Sequence, residues 1–392
     1  MKKRYGVVLI GCGHIGEQHL EDIYFRDNIR IMATVDKDEE RARLFAAKYG
    51  AENYGTEYMP YLTLAETDII IIATYADSHL SILEDCLRYQ KHVLCEKPIT
   101  ADVQSGRKFY ELVKNASTKV LIAHILRHNK SYQTIADLIH NGAIGELKLI
   151  RMVQNHHAMN WPRYQKLLEV CPPIVDCGVH YIDVMQWFSG SRVVEVSGMG
   201  CKLDADAVQD NYGMIHIKMA NGCIGYYEAG WSKNLASQNI KEFIGDKGRI
   251  SLLLRENRSQ AREEGDLITV YTNNRGDYQS INIQSKYKDM YAQLSTLIDM
   301  IEQNIPANPS IDEVFSAFYI ALEADKAIKN GTRLAIQPMG ELQENRRNYI
   351  SKPYLIKENH HETDQSFDKQ ICRTRKSFLT LKLNGDEKHE YL

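Results

Sequence analysis

The chain has 392 residues, of which 44% are hydrophobic and 25% are charged, with a formal net charge of −3. This length accommodates two domains, and a charge so close to neutral gives no reason to expect a nucleic-acid or membrane-surface partner. No apolar run approaches membrane-spanning length. The eight cysteines include no C-x-x-C pair, which favours reduced thiols and a cytoplasmic location over a disulfide framework.

The first third of the chain alternates short apolar runs with amphipathic segments. We read the apolar runs as the strands YGVVLI, IRIMATV, TDIIIIATY, HVLCE and KVLIAH. Near-continuous apolar strands separated by helices indicate a parallel sheet covered on both faces. We therefore predict an α/β domain over residues 1–124.

The pattern changes after residue 124 to a region of alternating strands with few helices. Asn221-Gly222 lies between two such strands and is a strong hairpin signal. Two helices follow, and Gly331 is placed to end the second one. We predict an α+β domain with a large, mostly antiparallel open sheet over 125–337. Residues 338–392 form a polar tail with one short candidate strand, SFLTLKLNG, and no role that the sequence reveals.

A glycine loop, GCGHIG, follows the first strand and begins the first helix. In this context Gly11 permits a tight turn, Gly13 lets the backbone approach a pyrophosphate, and Gly16 lets the helix pack on the strand. Asp36 ends the second strand, about 20 residues further on, where a ribose-binding acid belongs. Its carboxylate favours NAD, although the adjacent Lys37 leaves NADP open.

A second cluster lies at 172–188, in PPIVDCGVHYIDVMQWF. If this segment is helical, Asp176 and His180 share a face and Asp183 extends it. A carboxylate beside an imidazole suits a general base near neutral pH. The spacing fits equally well a helix cap, a core histidine and a packing acid.

The motifs GCGHIG, CEKP and D-x-x-x-H-x-x-D, in this order, resemble the glucose–fructose oxidoreductase / inositol dehydrogenase (Gfo/Idh/MocA) family over roughly residues 5–335. LRHNKSY, which contains Arg127, and NGAIGEL resemble its crossover region. The resemblance implies a Rossmann domain, a sheet domain that forms homodimers or homotetramers, and oxidation of a ring hydroxyl of a small-molecule sugar or polyol.

By the same resemblance, Lys97, Asp176 and His180 are the catalytic residues. His180 would be the base, Asp176 would fix it or hold a neighbouring hydroxyl, and Lys97 would stabilise the developing alkoxide. The loop after the third strand departs from the family pattern at Tyr75 and Ala76. The predicted cofactor-binding set is Gly11, Cys12, Gly13, His14, Ile15, Gly16, Asp36, Thr74, His79, Glu96 and Lys97.

The segment QNHHAMNWPRY, at 154–164, precedes the catalytic cluster and is a candidate loop over the pocket. An exposed polar connection is the alternative. No metal site is predicted, because the spacings of the nearby His and Cys residues match no standard zinc site. The predicted substrate-binding set is Arg127, His156, His157, Trp161 and Arg163.

Three functions stay open at this point. The first is an NAD(P)-dependent dehydrogenase that acts on a sugar, glycoside or cyclitol. The second is an enzyme that cleaves a glycosidic bond while it transiently oxidises the sugar with a tightly held NAD. The third is a non-catalytic regulator that retains the dinucleotide-binding fold.

Overall fold

The structure is a computed structural model that describes residues 3–254, 265–273 and 276–338. The predicted tail, apart from Pro338, lies outside the described residues together with its candidate strand. The helices are α1 (His14–Ile23), α2 (Glu39–Tyr49), α3 (Met59–Leu62), α4 (His79–Arg88), α5 (Val103–Lys114), α6 (Lys130–His140), α7 (Trp161–Val170), α8 (Pro173–Asp176), α9 (Gly178–Ser189), α10 (Met290–Gln303) and α11 (Ile311–Asn330). The strands are β1 (Tyr5–Ile10), β2 (Ile29–Val35), β3 (Asn53–Gly55), β4 (Ile69–Ile72), β5 (His92–Cys95), β6 (Val120–Ile122), β7 (Leu147–His157), β8 (Val193–Cys201), β9 (Tyr212–Met219), β10 (Ile224–Ser232), β11 (Gln238–Gly245), β12 (Gly248–Leu253), β13 (Asp266–Thr272), β14 (Asp277–Ile283) and β15 (Leu334–Ala335).

The first sheet is parallel in every strand pair that the described residues form, with the order β3-β2-β1-β4-β5-β6. Successive side chains of β1 enter opposite cores, Val8 and Ile10 on one face and Val7 and Leu9 on the other. This alternation with burial on both faces explains the continuous apolar strands. The strand order reverses between β1 and β4, and ligands bind in such sheets beyond the carboxyl ends of the strands at this point.

The second sheet has nine strands within the described residues, in the order β14-β13-β12-β11-β7-β10-β9-β8-β15. Of these strand pairs, β7 and β10 are parallel and the others are antiparallel. The predicted hairpin is present, with Gly222 at φ +90° between β9 and β10. The predicted fold class is therefore confirmed.

The two closing helices cover more than the second sheet. Leu294 and Leu297 of α10 belong to the same core as Leu9 of β1 and Leu20 of α1, and α11 packs against α5 as well as α9 and β8. The boundary predicted at residue 124 thus falls between the two sheets in the chain. The C-terminal helices α10 and α11 nevertheless pack against elements on both sides of this boundary. The predicted C-cap at Gly331 is confirmed by its φ of +59°.

The segment expected as a loop over the pocket differs from the prediction. Residues 161–170 form α7, which begins after Asn160, whose side chain accepts a hydrogen bond from the backbone N–H of Arg163. Pro162 lies in the first turn, where its missing N–H costs nothing. Within the described ranges, no helix combines the length and the apolarity that crossing a membrane requires.

Candidate active site

The glycine loop joins β1 to α1 at the reversal of strand order. Gly11 has φ +100°, and a Cβ there would lie 2.5 Å from the carbonyl oxygen of Ala73. A Cβ at Gly16 would lie 2.1 Å from the carbonyl oxygen of Gly11, whereas one at Gly13 would meet no described atom within 4 Å. The protein itself therefore requires glycine at 11 and 16. The open space at Gly13 fits a dinucleotide that approaches the backbone.

The carboxylate of Asp36 lies beside this loop. One oxygen accepts a hydrogen bond from the backbone N–H of Cys12 at 2.8 Å, and the other accepts one from Asp38 at 3.0 Å. Arg41 Nη1 lies 3.8 Å from Asp36 Oδ2. The carboxylate is thus held where the ribose hydroxyls are expected, and Arg41, which the sequence did not single out, is a cation beside it.

The other predicted loop residues have different surroundings. Cys12 is buried, and burial raises the pKa of its thiol to about 12. Ile15 packs against the core of the first sheet. His14 is exposed, and its Nε2 lies 3.0 Å from Nε2 of Gln18, one helical turn further on. Of these three side chains, His14 is therefore the one exposed to solvent.

His79 connects two loops of the site from inside the protein. Its ring nitrogens lie 2.9 Å from the carbonyl oxygen of Pro98 and 3.1 Å from that of Thr74. Burial lowers the pKa of His79, and a neutral ring has one N–H to donate to these two carbonyls. The neutral ring therefore bonds one of the two carbonyls at a time. Because His79 is fully buried, we expect it to act on the cofactor site by positioning these loops. The hydroxyl of Thr74 accepts a hydrogen bond from Ser78 at 2.7 Å.

Glu96 is buried next to the loop that carries Lys97. Its Oε1 lies 2.9 Å from Nε2 of the fully buried His19, and its Oε2 accepts a hydrogen bond from the backbone N–H of Lys97 at 3.3 Å. Burial would raise the pKa of Glu96, but the hydrogen bond and charge of His19 lower it overall. Glu96 is thus an ionised group that orients the loop carrying Lys97.

Lys97 follows β5 and reaches across to the second region of the chain. Its Nζ lies 3.1 Å from Asp176 Oδ2 and donates at the same distance to the Asp176 carbonyl. Burial would lower the pKa of Lys97, but the charge of Asp176 raises it above the usual value. The side chain therefore remains an ammonium at the carboxyl end of the first sheet.

His180 lies in the first turn of α9, directly after the short helix that ends at Asp176. Its Nδ1 is buried and has no hydrogen-bond partner among the described residues. Burial lowers the pKa of His180 well below 6.5, and the positive charge of Lys97 lowers it further. The ring is therefore neutral near pH 7 and is free to accept a proton. Its edge-to-face neighbour is His124, at 5.6 Å between centroids.

Arg127 has a different role from the substrate contact that the resemblance suggested. Its guanidinium forms a bidentate pair with Asp183 at 2.7 and 2.8 Å, and also contacts Glu313 at 3.1 Å. The side chain is 4% exposed and lies over the ring of Trp187. Its donors already hold α9 against α11, so we correct the expectation that Arg127 binds substrate.

The remaining predicted substrate residues separate into two groups. His156 is partly buried, and its Nε2 lacks a hydrogen-bond partner within the described part of the chain. His157, the next residue of β7, is exposed and has Nδ1 3.1 Å from the Leu235 carbonyl. Trp161 is buried and donates to Asp206 at 2.8 Å. Trp161 thus anchors the start of α7, and His157 joins β7 to the segment between β10 and β11. His156 and the exposed Arg163 remain as candidates.

Lys288 is a site residue that the sequence did not reveal. It lies between β14 and α10, and its Nζ donates to Gln18 Oε1 of α1 at 3.2 Å. Burial lowers its pKa, and the positive charges of Lys97 and Arg163 lower it further. Nothing in the local sequence KYKDMY identifies a site lysine, because its neighbours come from segments more than 100 residues away.

The part of the chain that the structure describes contains no group of three or more His, Cys, Asp or Glu side chains arranged to hold a metal ion. The site therefore offers an ammonium, a neutral imidazole and a carboxylate beside an open glycine loop.

Comparisons with known proteins place this geometry in context. A family model described as "Oxidoreductase family, NAD-binding Rossmann fold" (GFO_IDH_MocA) matches residues 5–124, and the GFO/IDH/MocA C-terminal domain model matches 132–251. The myo-inositol 2-dehydrogenase of Thermotoga maritima is 23% identical over 83% of this chain and 96% of its own length. The inositol 2-dehydrogenase of Rhizobium meliloti is 22% identical over 86% of this chain and all of its own length.

Solved structures share the fold. The myo-inositol 2-dehydrogenase of Lactobacillus plantarum has a TM-score of 0.74 with 20% identity, covering 86% of this chain and all of that one. The scyllo-inositol dehydrogenase of Lactobacillus casei, solved with NAD(H) and scyllo-inositol, has a TM-score of 0.70 with 20% identity, covering 85% of this chain and 99% of that one.

Proposed function

Because the chain belongs to the GFO/IDH/MocA oxidoreductase family, whose N-terminal domain is an NAD-binding Rossmann fold, we propose that it is an NAD-dependent dehydrogenase that oxidises a ring CH–OH of a cyclitol or sugar. Family membership confirms the resemblance drawn from the sequence, and NAD is the cofactor of the matched domain. The inositol 2-dehydrogenases among the relatives support a cyclitol as the substrate.

The observation that carries the proposal is the pairing of Lys97 with Asp176 next to His180. Lys97 comes from the loop after β5, and the other two come from the start of α9 and the helix before it. Lys97 follows the carboxyl end of β5, in the same sheet that carries the glycine loop. Burial lowers the pKa of His180, and the positive charge of Lys97 lowers it further. The carboxyl edge is the position at which a parallel sheet binds a dinucleotide.

Each residue of the site has its own role in the proposed reaction. Bound NAD supplies the hydride acceptor. His180 accepts the hydroxyl proton, since its lowered pKa leaves the ring neutral. Lys97 stabilises the negative charge that develops on the substrate oxygen, since its raised pKa keeps it protonated. Asp176 fixes the ammonium at 3.1 Å.

We also propose a two-domain division, a homo-oligomer and a cytoplasmic location. A division of the chain near residue 124 follows the two sheets. Homo-oligomer formation through the second sheet is supported by large exposed apolar side chains on its strands, namely Met199, Ile224, Ile240, Leu253 and Tyr278. A cytoplasmic location is supported by the cysteines within the described ranges, which are all free thiols.

A substrate panel tests the proposed function. Inositols, hexoses and simple glycosides are supplied with NAD or NADP, and reduced nicotinamide is followed by absorbance. We expect net NADH formation with at least one cyclitol or sugar, and its loss in His180→Ala. Product release from a glycoside without net NADH would support transient oxidation instead, and the absence of any turnover would contradict the proposal.

A further inference from the structure

We propose that the substrate carries an anionic group, a carboxylate or a phosphate, and that Lys288 and Arg163 bind it. This inference rests on the proposed dehydrogenase function and specifies the chemical class of its substrate. It also separates this chain from an enzyme that acts on a neutral polyol alone.

Lys288 places an ammonium beside the nucleotide loop. Its Nζ lies 3.2 Å from Gln18 Oε1, and Nε2 of Gln18 lies 3.0 Å from His14 Nε2. Both of these residues belong to α1, which begins at the glycine loop. The segment after β14 therefore brings a cation to the first turns of α1.

Arg163 approaches from α7. Its guanidinium lies 6.0 Å from the ring centroid of Tyr164, and the Tyr164 hydroxyl lies 3.4 Å from His156 Nδ1. The other nitrogen of His156 is buried without a hydrogen-bond partner among the described residues. An unpartnered buried nitrogen costs free energy unless a ligand or water satisfies it, so His156 is a further candidate contact for a bound substrate.

Electrostatic effects agree with a position of these cations near Lys97. Burial lowers the pKa of His156, and the charges of Lys288, Arg163 and Lys97 all contribute to the change. Burial likewise lowers the pKa of His14, and the positive charges of Arg163 and Lys288 lower it further.

Contacts support a common position for these cations. Gln18, which accepts from Lys288, precedes His19, and His19 contacts Glu96 beside Lys97. Tyr164, next to Arg163, packs on Trp231, the strand neighbour of His156.

The anions of the cleft are already engaged. Asp176 pairs with Lys97, and Glu96 contacts His19 and the backbone of Lys97. Neither Lys288 nor Arg163 forms an ion pair with a carboxylate in the described part of the chain. A partly buried cation such as Lys288 is costly without a counter-charge. An anionic group on the substrate would provide that counter-charge and would also reach the exposed Arg163.

The anion that these cations bind belongs to the substrate rather than to the cofactor. The charge of Lys288 acts on His180 and Cys177 as well as on His156, and all three lie in the second region of the chain. The pyrophosphate of the cofactor is expected instead at the backbone of Gly11 and Gly13. Within the described residues, Lys288 contacts Gln18, one helical turn beyond His14, and not the glycine loop itself, so we assign its charge to the substrate.

Matched substrates test the inference. Glucose, glucuronate and glucose 6-phosphate differ in one substituent, as do myo-inositol and myo-inositol 1-phosphate. We expect kcat/KM to be at least about tenfold higher for an anionic member than for its neutral partner, with the glucuronate and phosphate arms identifying which anion fits. The KM of the preferred anion should rise with salt concentration.

Two variants and a matched control assign the effect to residues. Lys288→Met and the exposed Arg163→Met should each lower the anionic-to-neutral ratio of kcat/KM about tenfold, mainly through KM of the substrate. The control Lys326→Met removes the same charge from α11, where Lys326 pairs with Glu323, and should leave the ratio unchanged. Isothermal calorimetry of glucuronate and glucose with the NADH-loaded enzyme gives a readout that does not depend on turnover.

Specific outcomes would overturn the inference. These are equal kcat/KM for charged and neutral partners, an equal effect of Lys288→Met and Lys326→Met on their ratio, or a rise in the KM of NAD instead of the substrate in Lys288→Met. If no compound reduces NAD, the dehydrogenase function fails separately. In that case the calorimetric preference for glucuronate over glucose still decides whether the cations bind an anion.

Discussion

Replacing either member of the Lys97–Asp176 pair tests the chemistry most fully. The Nζ and Oδ2 atoms are 3.1 Å apart, and the side chains are only 17% and 19% exposed. At an effective dielectric constant of about 20, charges at this separation attract by about 5 kcal/mol. Desolvation offsets part of this attraction, so it is the upper limit for the coupling that a double-mutant cycle measures.

Lys97→Met and Asp176→Asn should each lower kcat/KM by about 10²–10⁴-fold. Lys97→Met removes the ammonium that stabilises the substrate oxygen, and Asp176→Asn releases it from its position. Because the two groups act as a unit, the double variant should be at most about tenfold slower than the slower single variant. The measurement is steady-state NADH formation with the best substrate of the panel.

Two controls separate catalysis from folding. Thermal unfolding and NAD binding, followed by fluorescence quenching, should show that each variant folds and binds the cofactor. Multiplicative losses in the double variant, or near-normal turnover in either single variant, would refute the coupling and the role that the geometry gives to the pair.

Three further predictions follow from individual residues. The acidic limb of the kcat/KM profile for alcohol oxidation should lie below pH 6.5, because burial lowers the pKa of His180 and the base form persists above it. Burial lowers the pKa of His128 to about 4, so its contribution to stability should be complete above pH 6.5 and should be lost as pH falls to about 4. This loss in the free energy of unfolding is up to about 3 kcal/mol. Urea titrations at several pH values should show it in the wild type and not in His128→Gln. Gly13→Val should weaken NAD binding on the order of 10²-fold with little change in thermal stability, whereas Gly16→Val should destabilise the fold by about 1–3 kcal/mol, because its Cβ would lie 2.1 Å from the Gly11 carbonyl oxygen.

Each of these predictions has an outcome that contradicts it. An acidic limb above pH 6.5 that disappears in His180→Ala would show that the imidazole is charged at neutral pH. The same pH dependence of unfolding in wild type and His128→Gln would remove His128 as its source, and the exposed His216→Gln on β9 serves as the matched control. Normal NAD affinity in Gly13→Val would show that the space at that glycine is not the cofactor site.

Local patterns in the sequence were sufficient for most of the fold. The turn at Asn221-Gly222, the C-cap at Gly331 and the strand–loop–helix around Gly11 depend on interactions between near neighbours. The helix α7 carried the same kind of signal, an Asn160 cap and an early proline. The polar composition of 154–164 favours a loop, but the cap and the proline start a helix within this segment.

Long-range pairing was the part that the sequence did not reveal. Arg127 and Asp183 are separated by 56 residues, and their bidentate pair removes the arginine from the substrate set. Lys288 and Gln18 are separated by 270 residues. No periodicity or spacing encodes such contacts, because they depend on how the two sheets and the closing helices pack. The sequence predicts that Asp176 orients His180 or holds a substrate hydroxyl, whereas in the structure Asp176 pairs with Lys97, 79 residues away.

Hydride transfer under the control of His180 is the central claim, and isotope transfer tests it most directly. A cyclitol or sugar deuterated at the reacting carbon is incubated with NAD and the wild-type enzyme, and the reduced nicotinamide is analysed by NMR. The account predicts deuterium at C4 of the nicotinamide ring, with the transfer abolished or strongly slowed in His180→Ala. Release of the deuterium to water, or equally fast transfer by the variant, would contradict it.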